Sequence, residues 1–124
     1  MDKVQAIDEF WNSFGLPAFD ENTVPPDEDL TYPYITYNVS TDSLGNMIPL
    51  SASLWYRSTS WADITHKAEE IAQAVKTQRM PVKIDGGYVW FVGGTPFAQR
   101  MSDPNDDMIR RIYLNVSAEY LTAF

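Results

Sequence analysis

Alternating apolar residues give the clearest structural signal in the chain. Residues 34–39 are rich in β-branched and aromatic side chains, and a later stretch alternates with a period of two. The apolar positions of that later stretch are Leu50, Ala52, Leu54 and Tyr56. Turn residues, TDSLGN at 41–46, lie between the two stretches. This pattern predicts a β-hairpin over about residues 33–57, whose long loop projects from the body of the protein.

Two segments have apolar residues three and four apart, the spacing of an amphipathic helix. The first ends at Gly15 and Pro17. Its apolar positions are Val4, Ile7, Trp11 and Phe14. The second begins at Ser60, which with Asp63 resembles a capping box, and ends near Gln78. Its apolar positions are Trp61, Ile64, Ala68, Ile71 and Val75, a stripe one face wide, so we expect this helix to lie across a sheet.

A second hairpin and a closing strand complete the pattern. In VKIDGGYVWFV, residues 82–92, the turn DGG separates two short β-rich runs. Residues 111–120 alternate strictly between apolar and polar side chains, which predicts a strand with one buried face. The order helix, hairpin, helix, hairpin, strand predicts a single α+β domain, residues 1–124. We expect a mixed or antiparallel sheet of about five strands with the helices packed on one face.

Two segments lack any periodicity and are predicted to be long connections. Residues 15–32 contain three prolines and many acids, which is typical of an extended arm or loop. Within them, we interpret the acids at 27–29 as a solvated charge run rather than a cation site. Residues 93–107, GGTPFAQRMSDPNDD, follow the second hairpin, and we interpret them as a long interaction loop, because loops of this length are usually functional.

The second of these segments supplies the candidate interface. Phe97 is predicted to be its apolar anchor and Arg100 its charged partner, because interfaces concentrate binding energy in such residues. The alternative is that Phe97 folds back onto its own core. The full set of candidate interface residues is Gly94, Thr95, Pro96, Phe97, Gln99 and Arg100, with Asp42 and Leu44 from the loop of the first hairpin.

Composition narrows the classes of function. Nine Lys and Arg against 17 Asp and Glu give a formal net charge of −8, which disfavours tight binding to nucleic acid. The charge fits either simple solubility or an acidic surface that DNA passes without adhering. The chain has no cysteine, no sequence resembling a signal peptide and no apolar run near the roughly 20 residues of a membrane helix. We therefore expect a soluble, intracellular protein, whose N-x-S sequences at Asn38 and Asn115 are not glycosylated.

Residue types that carry catalysis are scarce. His66 is the only histidine, and we interpret it as an exposed residue paired with Glu70. No serine near His66 lies in a GxSxG elbow. The glycines at 86, 87, 93 and 94 match neither a phosphate loop nor a dinucleotide fold. The sequence therefore predicts no catalytic residue and no cofactor.

One segment imitates a metal site. Asp103, Asn105 and Asp107 have the spacing that opens a calcium loop. Such a loop needs Gly at its sixth place and Glu at its twelfth, and here those places hold Met108 and Leu114. We interpret the segment as a polar turn before the last strand, and predict no metal.

Three segments together resemble a known family. They are residues 32–75, which contain the first hairpin and the second helix, residues 86–101 with the motif GTPFAQR, and residues 106–121 of the closing strand. They resemble the tail-terminator, or tail-completion, proteins of long-tailed bacteriophages and prophages, often labelled minor tail or minor capsid proteins. The resemblance covers most of the chain but includes no catalytic motif.

The resemblance implies an α+β fold that assembles as a hexameric ring. Such a ring caps the tail tube and meets the head–tail connector, so the implied partners are other copies of the chain, the tail tube protein and the connector protein. The implied location is the tail or neck of the virion, after assembly in the host cytoplasm. DNA would be a passing, non-adhering strand, and no membrane is implied.

Other functions stay open at this point. A neck or head-completion protein has similar size and acidity. A small-molecule-binding α+β domain would have an apolar pocket between helix and sheet. An enzyme built on paired acids would have clustered carboxyl groups with perturbed pKa values.

Overall fold

The computed structural model of the protein describes residues 2–26, 30–39, 47–77 and 82–122. In chain order, its elements are α1 (Lys3–Asn12), β1 (Ala18–Asp20), β2 (Tyr34–Tyr37), β3 (Met47–Pro49), β4 (Ala52–Arg57), α2 (Ala62–Thr77), β5 (Val82–Ile84), β6 (Gly87–Ser102) and β7 (Ile109–Thr122). The predicted α+β class is confirmed. The sheet has more strands than expected because β1 and β3, each of 3 residues, are too short to leave a periodic signal.

All of these strands belong to one sheet, in the order β1-β2-β4-β7-β6-β5, with β3 also paired to β7. The pair β1–β2 is parallel and the other pairs are antiparallel, so the sheet is mixed, as predicted. The first hairpin is confirmed by the register Tyr34↔Trp55 to Tyr37↔Ala52. Its predicted turn, residues 41–46, lies outside the described residues. β7 is the central strand, with β6 on one side and β4 and β3 on the other.

The core is one cluster of buried residues from the sheet and from both helices. Alternate residues of β7 are buried there, which confirms the strand with a single buried face, and these are Ile112, Leu114, Val116 and Ala118. The predicted stripe of α2 is also buried at Ile64, Ala68, Ile71 and Val75. In α1, Ile7 and Trp11 are fully buried, but Val4 is 50% exposed. Val4 therefore does not belong to the buried stripe that was predicted for the first helix.

Capping residues set where the helices begin. Asp2 and Gln5 form a reciprocal capping box on α1, with the Gln5 N–H donating to Asp2 Oδ1 at 2.8 Å. Ser60 Oγ accepts a 3.0 Å hydrogen bond from the Ala62 N–H at the start of α2, but the Ser60 N–H donates to Ser58 Oγ rather than to Asp63, so the contacts differ from the predicted capping box. The turn after α1 contacts α2 where Lys67 Nζ donates to the Phe14 carbonyl at 2.8 Å.

The prediction of an arm or loop over residues 15–32 was partly wrong, because this segment contains β1. Pro17 O accepts from the Ile35 N–H, and the Glu21 N–H donates to Tyr37 O, so the segment runs alongside β2. The side-chain amide of Asn12 binds both polar groups of Ala18, accepting from its N–H at 3.1 Å and donating to its carbonyl at 3.4 Å. The acids at 27–29 lie outside the described residues. No helix in the described ranges is long and apolar enough to cross a membrane.

Candidate interaction surface at the edge of β6

A bulge interrupts β6 where the sequence predicted a loop. Gly93 pairs with Val116 and Ala98 pairs with Leu114, so residues 94–97 all stand opposite Asn115. We call residues 94–97 the β6 bulge. The prediction of a loop over residues 93–107 was therefore wrong for residues 93–102, which belong to β6. Gly94 and Pro96, residue types that often end a strand, instead lie in a bulge beyond which the same strand resumes.

Asn115 holds this bulge against the sheet. Its Nδ2 atom donates a 2.7 Å hydrogen bond to the Pro96 carbonyl. A Cβ atom on Gly94 would lie 3.1 Å from Asn115 Cβ and 3.3 Å from Asn115 O, so any side chain here would need the neighbouring strand to shift by a few tenths of an ångström. The two candidate interface residues Gly94 and Pro96 are thus positioned by one side chain of β7.

Phe97 lies partly buried against its own core, as the alternative interpretation had it. A Cβ atom on Gly93 would lie 3.2 Å from the Phe97 ring and 3.6 Å from Val75 Cγ1, so the ring sits beside the C-terminal half of α2. One edge of Phe97 still lines the surface. The side chain therefore contributes to the core and to a surface groove at the same time.

That groove runs between α2 and β6, in two hollows separated by Phe97. The larger hollow has a volume of about 580 Å³ and lies between Val75, Lys76 and the stretch of β6 at residues 90–94. The smaller has a volume of about 280 Å³ and lies between Thr65, Ala68 and the stretch of β6 around Ala98. Ala72 and Phe97 line both hollows. We call the two together the α2–β6 groove.

The other candidate interface residues are exposed on the same strand or fall outside the described ranges. Gln99 and Arg100 are exposed. The Arg100 guanidinium lies 4.9 Å from the centroid of the Trp61 ring, so it already has an aromatic partner within the chain. Thr95 lies in β6. Asp42 and Leu44 lie outside the described residues.

A second, polar surface on the opposite face of the sheet was missed by sequence reasoning. Arg111 donates from Nε to Ser53 Oγ at 3.0 Å, and its guanidinium lies 4.7 Å from the centroid of the Trp55 ring. Trp55 in turn donates from Nε1 to Thr36 Oγ1 at 2.8 Å and stacks with Tyr34. The alternation of apolar and polar residues in β4 and β7 could have revealed this surface from the sequence, because it places these side chains on the face away from the core. Their contacts join β2, β4 and β7, and we call these side chains the aromatic and arginine platform.

Several polar side chains of the described residues make contacts within the fold. Glu70, the predicted partner of His66, is instead bound by Lys67 at 3.2 Å, and His66 is exposed. Burial raises the pKa of Tyr37, whose hydroxyl donates to Asp8 at 2.6 Å, and burial raises the pKa of Tyr120 to about 12.

The predicted calcium-like segment forms a turn, in which the carboxylates of Asp103 and Asp106 accept hydrogen bonds from backbone N–H groups. Asp103 Oδ1 accepts from the N–H groups of Asn105 and Asp106. Asp106 accepts from the Met108 N–H at 2.9 Å and pairs with Arg57. The Met108 N–H and then Arg57 hold the pKa of Asp106 below its usual value, the opposite of what a general acid needs. Among the described residues, no group of three or more His, Cys, Asp or Glu is arranged to bind a metal ion.

Comparison with known proteins found the same fold in phage-like particles. No family model matches the chain, and no curated protein matches it. A chain of the virion of a native gene transfer agent particle superposes with a TM-score of 0.54 at 19% identity, covering 90% of this chain and 83% of that one. The gp17 protein of bacteriophage SPP1 superposes with a TM-score of 0.51 at 16% identity, covering 93% of this chain and 78% of that one. The chain therefore shares the fold of proteins from a phage and from a phage-like particle.

Proposed function

We propose that the protein is a structural component of a phage or phage-like virion and acts as a tail terminator. In this role it forms a closed homo-oligomeric ring, of six copies, that caps the tail tube and joins it to the head connector. The observation that carries the proposal is the fold shared, over most of both chains, with a gene transfer agent virion chain and with SPP1 gp17. The activity is binding, and no step of it requires catalysis.

Two features of the chain support a ring. A ring forms when one patch of a subunit meets a different patch on its neighbour and the rotation closes. The outer edge of β6 with the α2–β6 groove is one patch, and the aromatic and arginine platform on the opposite face is different in shape and chemistry. The net charge of −8 disfavours adhesion of DNA, which the proposed ring must let pass through its lumen.

Deletion of the gene from a producing phage or prophage tests the proposal. A terminator stops tube growth, so its loss should give tails of abnormal, uncontrolled length beside heads that stay unjoined. Complementation with the intact gene should restore a single tail length. Tails of normal length beside heads that leak DNA would instead identify a neck or head-completion protein.

The α2–β6 groove favours a second candidate, a small-molecule-binding domain. Its larger hollow of about 580 Å³ is lined by aromatic and apolar side chains next to Lys76 and Glu119. A ligand there should raise the melting temperature of the isolated protein, and Ala72→Trp, which fills the groove, should abolish that rise. A rise that survives Ala72→Trp would exclude the groove as the binding site.

A further inference from the structure

A side chain closes one edge of the sheet, and among the described residues the opposite edge is covered only in part. At β1, the side-chain amide of Asn12 occupies both polar groups of Ala18, as a neighbouring strand would. On the other side, β5 pairs with β6 from Val82↔Val89 to Ile84↔Gly87. In the described part of the chain, no strand pairs with the outer edge of β6 at residues 98–102. Exposed edges promote association with other chains, and natural proteins usually block them.

Residues 98–102 are unusually accessible for a strand. All five of them are exposed, on both faces of the sheet, and Met101 is 41% exposed. The smaller hollow of the α2–β6 groove lies beside them, so the open edge faces a helix across a shallow channel. An edge strand that faces a helix is the geometry in which an extended peptide adds to a sheet, with backbone hydrogen bonds to the strand and side chains in the channel.

The hydrogen-bond pattern identifies which backbone groups point outward. The Asn38 N–H donates to Ser51 O. Because successive residues of a strand direct their backbone polar groups to opposite sides, the odd-numbered residues of β4 bond to β2 and the even-numbered residues bond to β7. Leu114, the β7 partner of Ala52 in β4, therefore directs its polar groups toward β4. Ala98, the β6 partner of Leu114, therefore directs its N–H and carbonyl away from β7. Because the direction alternates along the strand, the N–H and carbonyl groups of Arg100 and Ser102 also point away from β7.

Charge and symmetry favour another copy of this chain as the occupant. The groove lining carries Lys76 and Arg100 against Glu69 and Glu119, so it is balanced, whereas the whole chain has a net charge of −8. Acidic copies repel one another over most of their surfaces and associate best at a balanced patch. A two-fold pairing of β6 edges centred on Arg100 would bring two guanidinium groups together, which disfavours a symmetric dimer.

We propose that residues 98–102 pair, as an added strand, with an extended segment of a second copy of the chain seated along the α2–β6 groove. The contact is head-to-tail, so the segment comes from a different part of that copy than its own residues 98–102. This inference rests on the proposed ring and assigns one of its two contact patches.

Substitution of Ala98 tests the backbone contact. Ala98→Pro removes an outward N–H without removing a hydrogen bond to β7, and the control Ala98→Ser keeps the N–H at nearly the same size. Assembly of each protein is measured by sedimentation velocity over a concentration series, with and without tail tubes purified from a strain that lacks the gene. Ala98→Pro should need at least about tenfold more protein to assemble, while Ala98→Ser assembles like the wild type. Circular dichroism establishes that both variants are folded.

The outcomes separate the two proposals. Normal assembly of folded Ala98→Pro would overturn the edge pairing and leave the terminator function standing. Failure of the wild-type protein to assemble on tubes would contradict the terminator function itself.

A crosslinking experiment covers the case in which Ala98→Pro does not fold. The chain has no cysteine, so Gln99→Cys labelled with a benzophenone maleimide carries a single photoreactive site. In assembled particles, it should crosslink to a second copy outside residues 98–102. A disulfide between two copies of the unlabelled Gln99→Cys variant would overturn the proposal. With the labelled protein, a crosslink to another protein alone, or no intersubunit crosslink, would do the same.

Discussion

Asn115 Nδ2 donates a 2.7 Å hydrogen bond to the Pro96 carbonyl, and this contact fixes the β6 bulge to the central strand. The bulge leaves the strand at Gly93 and rejoins it at Ala98. The side chain therefore sets where the open edge of β6 begins.

Asn115→Ala should lower the free energy of unfolding by about 0.5–1.5 kcal/mol, the usual worth of one such hydrogen bond. Ser117→Ala, on the same face of β7, is the matched control and should change it by less than about 0.5 kcal/mol. Urea denaturation measures both. Equal stabilities of the two variants would mean that the bulge is not held by Asn115.

Ile71→Ala should destabilise the protein by about 2–5 kcal/mol, because the side chain has 0% exposure at the centre of the α2 stripe. Val4→Ala, at 50% exposure on α1, should cost less than about 0.5 kcal/mol. Denaturant midpoints at constant m-value check the comparison. If Ile71→Ala lowered the free energy of unfolding no more than Val4→Ala, the result would contradict the packing of α2 against the sheet.

Phe97→Ala separates the two interpretations of that residue. Because the ring packs partly against the core, its removal should cost about 1–3 kcal/mol of stability, less than for a fully buried phenylalanine. Met101→Ala, exposed on the same strand, is the control and should leave the melting temperature unchanged. A Phe97→Ala subunit of wild-type stability that no longer assembles would make Phe97 an interface anchor instead.

Lowering the pH should destabilise the turn after β6, because the Asp106 carboxylate stabilises this turn only while it is charged. The Met108 N–H and Arg57 lower the pKa of this carboxyl in the folded state, so its contribution to stability is present above its unfolded pKa. That contribution is lost as the pH falls through the lower, folded pKa. Asp106→Asn should therefore be less stable than wild type near neutral pH, and the difference should shrink toward about pH 2.

Melting temperatures across that pH range, with Asp107→Asn as control, measure the effect. A difference between Asp106→Asn and wild type that stayed constant with pH would contradict it.

Periodicity was sufficient to predict the elements with long apolar stripes. The buried residues of α2 and β7 were identified correctly, because a 16-residue helix and a 14-residue strand repeat their pattern several times. Strands β1 and β3 were missed because 3 residues contain too little alternation to detect. Their pairing depends on distant residues, such as Ile35 for β1, that no local pattern reveals.

The sequence placed the candidate surface in the correct segment but predicted a loop there, where the structure has a strand with a bulge. Gly93, Gly94 and Pro96 signal a break in a strand, and local sequence does not distinguish the end of a strand from a bulge within it. The deciding contact comes from Asn115, about 20 residues away in sequence, which the pattern marked only as a polar position of the last strand. The open edge follows from sheet order, which is a property of the whole fold.

Electron cryomicroscopy of purified particles tests the central claim most directly. We predict a closed ring of this chain at the junction between the tail tube and the head connector, with the outer edge of β6 buried between adjacent copies. Particles in which the chain is absent, or in which it lies elsewhere than at the end of the tube, would contradict the assignment as a tail terminator.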